Sequence, residues 1–552
     1  MSRIVIVGNG PVGHRLADRT ARGGEHHRIT VLGAERCPAY NRVLLPSVVA
    51  GTLRGDDTRL PPPGPAVVVR VGERVTDVDR DRRRVRSSSG AIHHYDVLVL
   101  ATGARPVWPE APGLTGPSDQ PGAAVVALRT LDDVEYLERR LRTGLPVTVL
   151  GGGTLGLETA RALAARGARV DLVHRSRSLM ERQLDDVAGA VLLASTRALG
   201  ITVHLGHQPV GYRDGHLVLD DGREIHSELV VVAVGASPRT ELATGAGLVV
   251  RRGVVVDDTL TTSDPHIRAV GDCAEHDGVQ YGLLAPGFDQ ADVLASLLTR
   301  PAPVAAYRGS SAVTRLKARD IDLTALGDSR ASEPADLVTM ADQRRGRYAR
   351  LAVRDDRVTG AILIGFPRAA ATLGQLYDRG DPLPDDPFHL LLGETTGGVQ
   401  GQELAELPDT AVVCRCNAVS KRALVTAWRV GARDVPALSR VTRAGTGCGG
   451  CAATLTGLCR WLERAAPAAA PAGAAEGENG GAAAEPEPGG TARAPGQPES
   501  RDQDVPSCQV PLAAAPAARR PSPASGAGDL VRAGAAPPAS TARPDLDEEG
   551  VA

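Results

Sequence analysis

Cys414-Arg415-Cys416 and Cys448-Gly449-Gly450-Cys451 place four thiols in two short loops on either side of a helical stretch. Thiolates grouped in this way can enclose a small iron–sulfur cluster or a tetrahedral zinc ion. Zinc sites usually have wider spacing than C-x-C, so of the two the cluster is favoured. The glycines beside Cys448 leave backbone N–H groups free to bond cluster sulfurs and tune their potential. Cys459 follows on the next helix and reads as a buried apolar residue, not a fifth ligand. The other cysteines are Cys37, Cys273 and Cys508, so five of the eight crowd into one short segment. A disulfide-stapled secreted chain would spread them.

Two glycine triplets suggest a second kind of chemistry. Gly8-Asn9-Gly10-Pro11-Val12-Gly13 follows the strand-like run RIVIV and precedes a helix expected over 14–22. In such a motif one glycine permits the tight turn and another lets the backbone approach a pyrophosphate. The third lets the helix pack closely, with its N-terminus toward the anion. Glu35, just beyond the second strand RITVLG, is the expected partner of a ribose hydroxyl. Gly151-Gly152-Gly153-Thr154-Leu155-Gly156 repeats the pattern. Two fingerprints in one chain are far more specific than one, and imply a flavin together with a nicotinamide. After the second strand of the later unit no acid appears; His174, Arg175, Ser176 and Arg177 stand there instead. Arg175 could hold a 2′-phosphate, or these arginines could simply be solvated.

The elements that must position these residues alternate short β-branched runs with helices over about the first 300 residues, an α/β pattern with parallel sheets. Expected strands are 3–8, 28–33, 96–103, 147–153, 169–174 and 229–235. The chain divides into a discontinuous first domain (1–115 and 235–306), a second (116–234), a small α+β segment (307–385) with a helix from about Ala369, a linker (386–410) and a last compact unit (411–464). Residues 465–552, rich in Ala, Pro and Gly, read as a disordered tail, because they cannot bury enough apolar surface to offset ordering. The 552 residues carry a net charge of -2, which excludes bulk attraction to nucleic acid or an anionic membrane. No apolar run reaches the ~18 residues of a membrane span. The chain begins almost at once with a strand, with no signal peptide, so the cytoplasm is the expected compartment.

Further strings carry a family resemblance. ATGARP (101–106) and AVGDCAE (269–275) resemble the two additional flavin motifs of pyridine-nucleotide-disulfide-type FAD oxidoreductases. The resemblance implies that Thr102, Gly103 and Asp272 bind FAD, Asp272 through the ribityl chain. The redox C-x-x-x-x-C of that family's disulfide reductases is absent, since Cys37 has no neighbouring cysteine. CPAYNRVLLPSVVAG (37–51), SLMERQLD (178–185) and YGLLAPGFDQADVLA (281–295) resemble the flavoprotein part of assimilatory nitrite reductase large subunits and nitrate reductase electron-transfer subunits. By that match Arg42 lies against FAD and Glu158 faces the nicotinamide. A helix starting near Pro286 aims its positive end at the flavin. CRCNAVSKRALVTAW and TRAGTGCGGC resemble the bacterioferritin-associated ferredoxin-like [2Fe–2S] domain, with Cys414, Cys416, Cys448 and Cys451 as ligands.

The implied fold is two Rossmann-like FAD- and NAD(P)-binding domains of glutathione-reductase type, a small α+β third domain, a small helical [2Fe–2S] domain and a disordered C-terminal tail. The implied function is an NAD(P)H-dependent electron-transfer flavoprotein. Nicotinamide gives two electrons as hydride and the cluster takes one at a time, so FAD between them converts two to one. Full-length nitrite reductase large subunits add a sirohaem module held by four further cysteines. This chain lacks them, so a separate redox acceptor protein is expected, a nitrate or nitrite reductase catalytic subunit. The segment 307–385 is expected to help dock it. A general NAD(P)H–ferredoxin or rubredoxin reductase and a non-enzymatic redox sensor are the alternatives, and a homodimer is left open.

Overall fold

The computed structural model describes residues 2–24, 27–115, 122–299, 306–318, 320–330, 336–383, 386–392, 407–409, 411–414, 417, 419–445 and 451–465. The tail expected from 465 onward lies outside them after its first residue.

Two five-stranded parallel sheets carry the glycine motifs. In the first, the strand order is Ile267–Ala269, Val97–Leu100, Ser2–Val7, His27–Gly33, Val67–Val71. In the second it is Val125–Ala127, Leu229–Val232, Pro146–Leu150, Arg169–His174, Thr202–Leu205. Both central strands are buried on both faces, over residues 4–7 in one and along the whole of Pro146–Leu150 in the other, as their largely apolar sequences require. A three-stranded antiparallel sheet is inserted in each unit, Val75–His94 after the strand Val67–Val71 in one and Pro209–His226 after the strand Thr202–Leu205 in the other. Antiparallel strands Ala104–Pro106 and Ala236–Pro238 line the two crossings between the units.

The first helix spans Pro11–Arg22, three residues longer at its start than expected. Proline at the first helical position has no N–H to leave unsatisfied and brings a helical φ. Gly13, Leu16, Ala17 and Thr20 form its buried stripe. The helix expected from Ala369 likewise begins at Pro367, and the one expected near Pro286 spans Leu284–Thr299.

The strands Val313–Ala318, Ile321–Gly327, Asp336–Asp342, Arg347–Arg354 and Arg357–Ile364 form a five-stranded antiparallel sheet. Its two faces serve different cores, as the period of two dictates. Tyr348, Ile362 and Ile364 join the core of the second parallel sheet. Ala349, Ala361 and Leu363 pack beneath the helix Pro367–Arg379 with Ala370 and Leu373. The stretch 386–410, expected as a linker, holds a helix Pro387–Leu392, and Leu391 is buried in that same core. An apolar face on PFHLLL gives this piece a place to pack.

The last unit has strands Val412–Cys414 and Val419–Ser420 followed by helices Lys421–Arg429, Val435–Thr442 and Ala452–Ala465. Ser420 and Asp434 cap the first two helices by accepting from the N–H groups of Ala423 and Ala437. No helix among the described residues is long and apolar enough to cross a membrane.

Candidate functional site

The first glycine loop is a cradle with two glycines closed in and one left open. Gly8 has φ +120°, and a Cβ there would lie 2.1 Å from the Ala101 carbonyl oxygen. A Cβ on Gly13 would lie 2.1 Å from the Gly8 oxygen, so the helix can pack only on glycine. At Gly10 the nearest atom to such a Cβ is Arg42 Nε, at 3.9 Å. The loop therefore opens at Gly10, at the N-terminus of the helix, where an anion is favoured. Asn9 Oδ1 is buried there with no hydrogen-bond partner, a group that a ligand could satisfy.

Charged side chains from distant segments form the rim. Glu35 accepts from the Arg42 guanidinium and, at 2.6 Å, from the Tyr40 hydroxyl. Arg42 also donates to Tyr40 Oη and to the Arg129 carbonyl. Burial lowers the pKa of Arg42, but Tyr40 and Glu35 more than offset this and raise it. Asp272 lies 3.9 Å from Arg129, and burial raises its carboxyl pKa against the pull of Arg129 and Arg42. The helix Leu284–Thr299 starts against this cradle: a Cβ on Gly287 would lie 2.7 Å from Val12 and 3.4 Å from Gly271. Gln290, on the same helix, accepts from the Gly271 N–H. Thr102 donates to the Arg239 carbonyl, and Gly103 (φ +71°) accepts from the Arg239 N–H. Cys273 is fully buried and burial raises its thiol pKa, the setting of a structural cysteine.

The second cradle repeats the backbone. Gly151 has φ +112° and faces the Ala233 oxygen at 2.4 Å from its would-be Cβ. A Cβ on Gly156 would lie 1.9 Å from the Gly151 oxygen, whereas one on Gly153 would meet nothing within 4 Å. Glu158 is buried on the helix Thr154–Ala165, with 4% of its surface exposed. Arg175 and Arg177 are exposed and bond no described residue.

The acid missing from the sequence at this strand end arrives through space. Glu181 accepts from His174 Nε2 at 2.9 Å and from the Ser176 hydroxyl at 3.0 Å. Burial raises the Glu181 pKa, but these hydrogen bonds outweigh it and hold the carboxyl low. His174 Nδ1 in turn accepts from the Gly152 N–H at 3.0 Å. Glu181 lies in MERQLD, a stretch whose spacing gave no hint of these contacts.

Cys414 and Cys451 are both buried, 1% and 6% exposed, in the small core of the last unit with Trp428, Leu438 and Leu455. Cys416 and Cys448 lie outside the described residues. Cys459 sits in that core as expected, and burial raises its pKa. One chain thus contains two nucleotide cradles and a separate cysteine core.

Residues 2–293 match the family described as pyridine nucleotide-disulphide oxidoreductase. The chain belongs to that family. It is an FAD-dependent NAD(P)H oxidoreductase, and residues 412–459 match the BFD-like [2Fe–2S] binding domain. Residues 313–380 match the rubredoxin NAD+ reductase C-terminal domain. Nitrite reductase [NAD(P)H] of Bacillus subtilis is 34% identical over 463 residues, 81% of this chain and 56% of that protein. The assimilatory nitrate reductase electron transfer subunit of the same organism is 31% identical over 482 residues, 85% of this chain and 61% of that one. The chain thus spans little more than half the length of these relatives. Among solved structures, the covalent putidaredoxin reductase–putidaredoxin complex is similar, with TM-score 0.63 and 26% identity over 71% of this chain and 95% of that chain. Both cradles of this oxidoreductase fit dinucleotides, because each leaves its middle glycine open at a helix N-terminus.

Proposed function

We propose that the chain moves electrons from NAD(P)H, by way of FAD and a [2Fe–2S] cluster, to a separate nitrate or nitrite reductase catalytic subunit. The reading rests on the pair of equivalent cradles, each open at its middle glycine, beside a small core that buries Cys414 and Cys451. Gly8, Gly10 and Gly13 would hold the FAD pyrophosphate, with Glu35 toward its ribose, Arg42, Thr102 and Gly103 beside it, and Asp272 accepting from its ribityl hydroxyls. Gly151, Gly153 and Gly156 would hold NAD(P)H, with Glu158 toward the nicotinamide and Arg175 free for a phosphate. Cys414, Cys416, Cys448 and Cys451 would ligate the cluster. Bound flavin supplies a carrier that accepts a hydride and releases single electrons. The chain's own contribution is positioning: it aligns donor and acceptor and needs no acid–base residue.

The charge distribution supports a protein acceptor. Residues 411–464 hold nine of the chain's 63 lysines and arginines but only two of its 65 acids, a net of +7 against -9 for the rest. Arg429, Arg433 and Arg440 are exposed. A partner with an acidic face would be steered to this unit.

The protein purified without oxygen should contain about two irons and two labile sulfides per chain. NADH or NADPH should bleach first flavin and then cluster absorbance. Zinc in place of iron would refute the cluster. A second reading, a rubredoxin or ferredoxin reductase, is favoured by the match over 313–380. Faster turnover with rubredoxin than with a nitrate or nitrite reductase catalytic subunit would decide for it.

A further inference from the structure

Asn41 stands between Tyr40 and Arg42, beside the rim of the first cradle, and only 2% of its surface is exposed. Its backbone N–H donates to the Thr58 carbonyl at 2.8 Å, and its Oδ1 accepts from the Val43 N–H at 3.1 Å. Its Nδ2 donates at 2.9 Å to Oδ1 of Asn417, which lies 376 positions away. Asn417 is next to Cys416, in the first cysteine loop. Its own Nδ2 donates at 2.6 Å to the Arg443 carbonyl, where the chain leaves the helix Val435–Thr442 toward the second cysteine loop.

The orientation of both amides follows from their partners. Turning Asn41 over would face its Nδ2 to the Val43 donor and its Oδ1 to the Asn417 oxygen. Turning Asn417 over would set its Nδ2 against the Asn41 donor and its Oδ1 against the Arg443 carbonyl. Either flip breaks two hydrogen bonds, so one arrangement satisfies the chain. The bonded path runs from the residue beside Arg42 to the segments bearing both pairs of cysteines.

We propose that Asn41 and Asn417 are positioning residues. They dock the cysteine-bearing unit on the flavin-binding half and set the path by which electrons leave the flavin for the cluster. This rests on the function proposed above. Donor and acceptor must be held at fixed separation for transfer to be fast, and a two-amide clasp fixes it without placing a charge between them.

The test compares the full chain with Asn417→Leu, which keeps the volume and loses both hydrogen bonds. Asn417→Asp serves as a second variant, since it keeps the bond from Asn41 and loses that to Arg443. In anaerobic rapid mixing with NADH, flavin bleaching should proceed at the parental rate in both variants, with cluster absorbance intact before mixing. Cluster bleaching should slow about tenfold in the leucine variant, the factor expected for one or two lost buried hydrogen bonds, and less in the aspartate variant. Independently of any redox chemistry, limited proteolysis of the full chain should separate the cysteine-bearing unit from the rest of the leucine variant more readily than from the parent. Equal cluster bleaching and equal release in all three proteins would overturn the proposal. If NADH or NADPH bleaches no flavin in the parent, the redox reading fails, and the release experiment still decides whether the two asparagines dock the unit.

Discussion

Where the strand His27–Gly33 passes the first cradle, glycine lies on the strand and the bulk on the loop. A Cβ on Gly33 would come within 2.7 Å of Asn9. In the second cradle the arrangement is reversed. The loop has Gly152 and the strand has His174, whose ring would lie 2.8 Å from a Cβ on Gly152. Matching hydrogen bonds, Gly8 N–H to Leu32 and Gly151 N–H to Val173, put the two pairs in register. The rims differ too. Tyr40, Arg42, Glu35, Arg129 and Asp272 ring the first, while Arg175 and Arg177 stand exposed beside the second. A closed rim suits a cofactor that stays, and an open one suits a coenzyme that exchanges each turnover. The backbone motif is common to the two cradles, and the rim is where they differ.

The largest effects should come from the closed-in glycines. Gly13→Val should abolish FAD binding, and Gly156→Val should leave FAD bound but end bleaching by NADH and NADPH. Each drives a side chain into a carbonyl oxygen, at a cost of about 1–3 kcal/mol or more in stability. Gly153→Leu, in open space, should also end coenzyme-driven bleaching while the melting temperature stays within about 2 °C, because nothing is displaced. A marked fall in melting temperature for Gly153→Leu would show that this glycine serves packing after all.

Asp272→Asn separates binding from stability at the first rim. FAD affinity should fall by about tenfold or more, the cost of one good hydrogen bond to a charged group. The apo-protein should become more stable. Burial raises the Asp272 pKa, so its favourable, protonated form prevails at low pH, and that contribution is lost as pH rises through the raised value. The stabilisation by asparagine should therefore be larger at neutral pH than near pH 4, in melts of the apo-protein. A gain that is larger at low pH would contradict the sign.

The reversed packing at the loop predicts coupling. Gly152→Ala should destabilise by about 1–3 kcal/mol, and His174→Gly in the same chain should relieve about 0.5–1 kcal/mol of that. Denaturant unfolding of the four proteins gives the coupling energy. Zero coupling would mean that Leu179, 2.6 Å from the same would-be Cβ, bears the clash alone.

The smallest effects belong to the second rim. Glu181→Gln should raise the ratio of NADPH to NADH efficiency, by removing a negative charge near the strand end. Arg175→Glu should lower that ratio. Each change should stay within about tenfold, since one partly exposed charge is worth about 1 kcal/mol. A fall in the ratio for Glu181→Gln together with a rise for Arg175→Glu would refute the reading that the coenzyme's phosphate-bearing ribose lies at this strand end.

The sequence by itself determined the two cradles, the order of the elements around them and the four cysteines. It could do so because the constraint is local: only glycine tolerates the φ of Gly8 and Gly151 or the contacts of Gly13 and Gly156. A β-branched run before the motif and a helix after it complete the signal within a few residues. The resemblance of CPAYNRVLLP singled out Arg42 but not its hold on Glu35 and Tyr40. Only the tertiary structure decided how the rims close. Glu181 reaches a strand end from a turn further along the chain, Asp272 meets Arg129 across more than a hundred residues, and Asn41 meets Asn417 across nearly four hundred. Polar side chains of this kind carry no periodicity. Their partners are chosen by which segments the packed cores bring together, and by the cost of leaving a buried polar group unpaired.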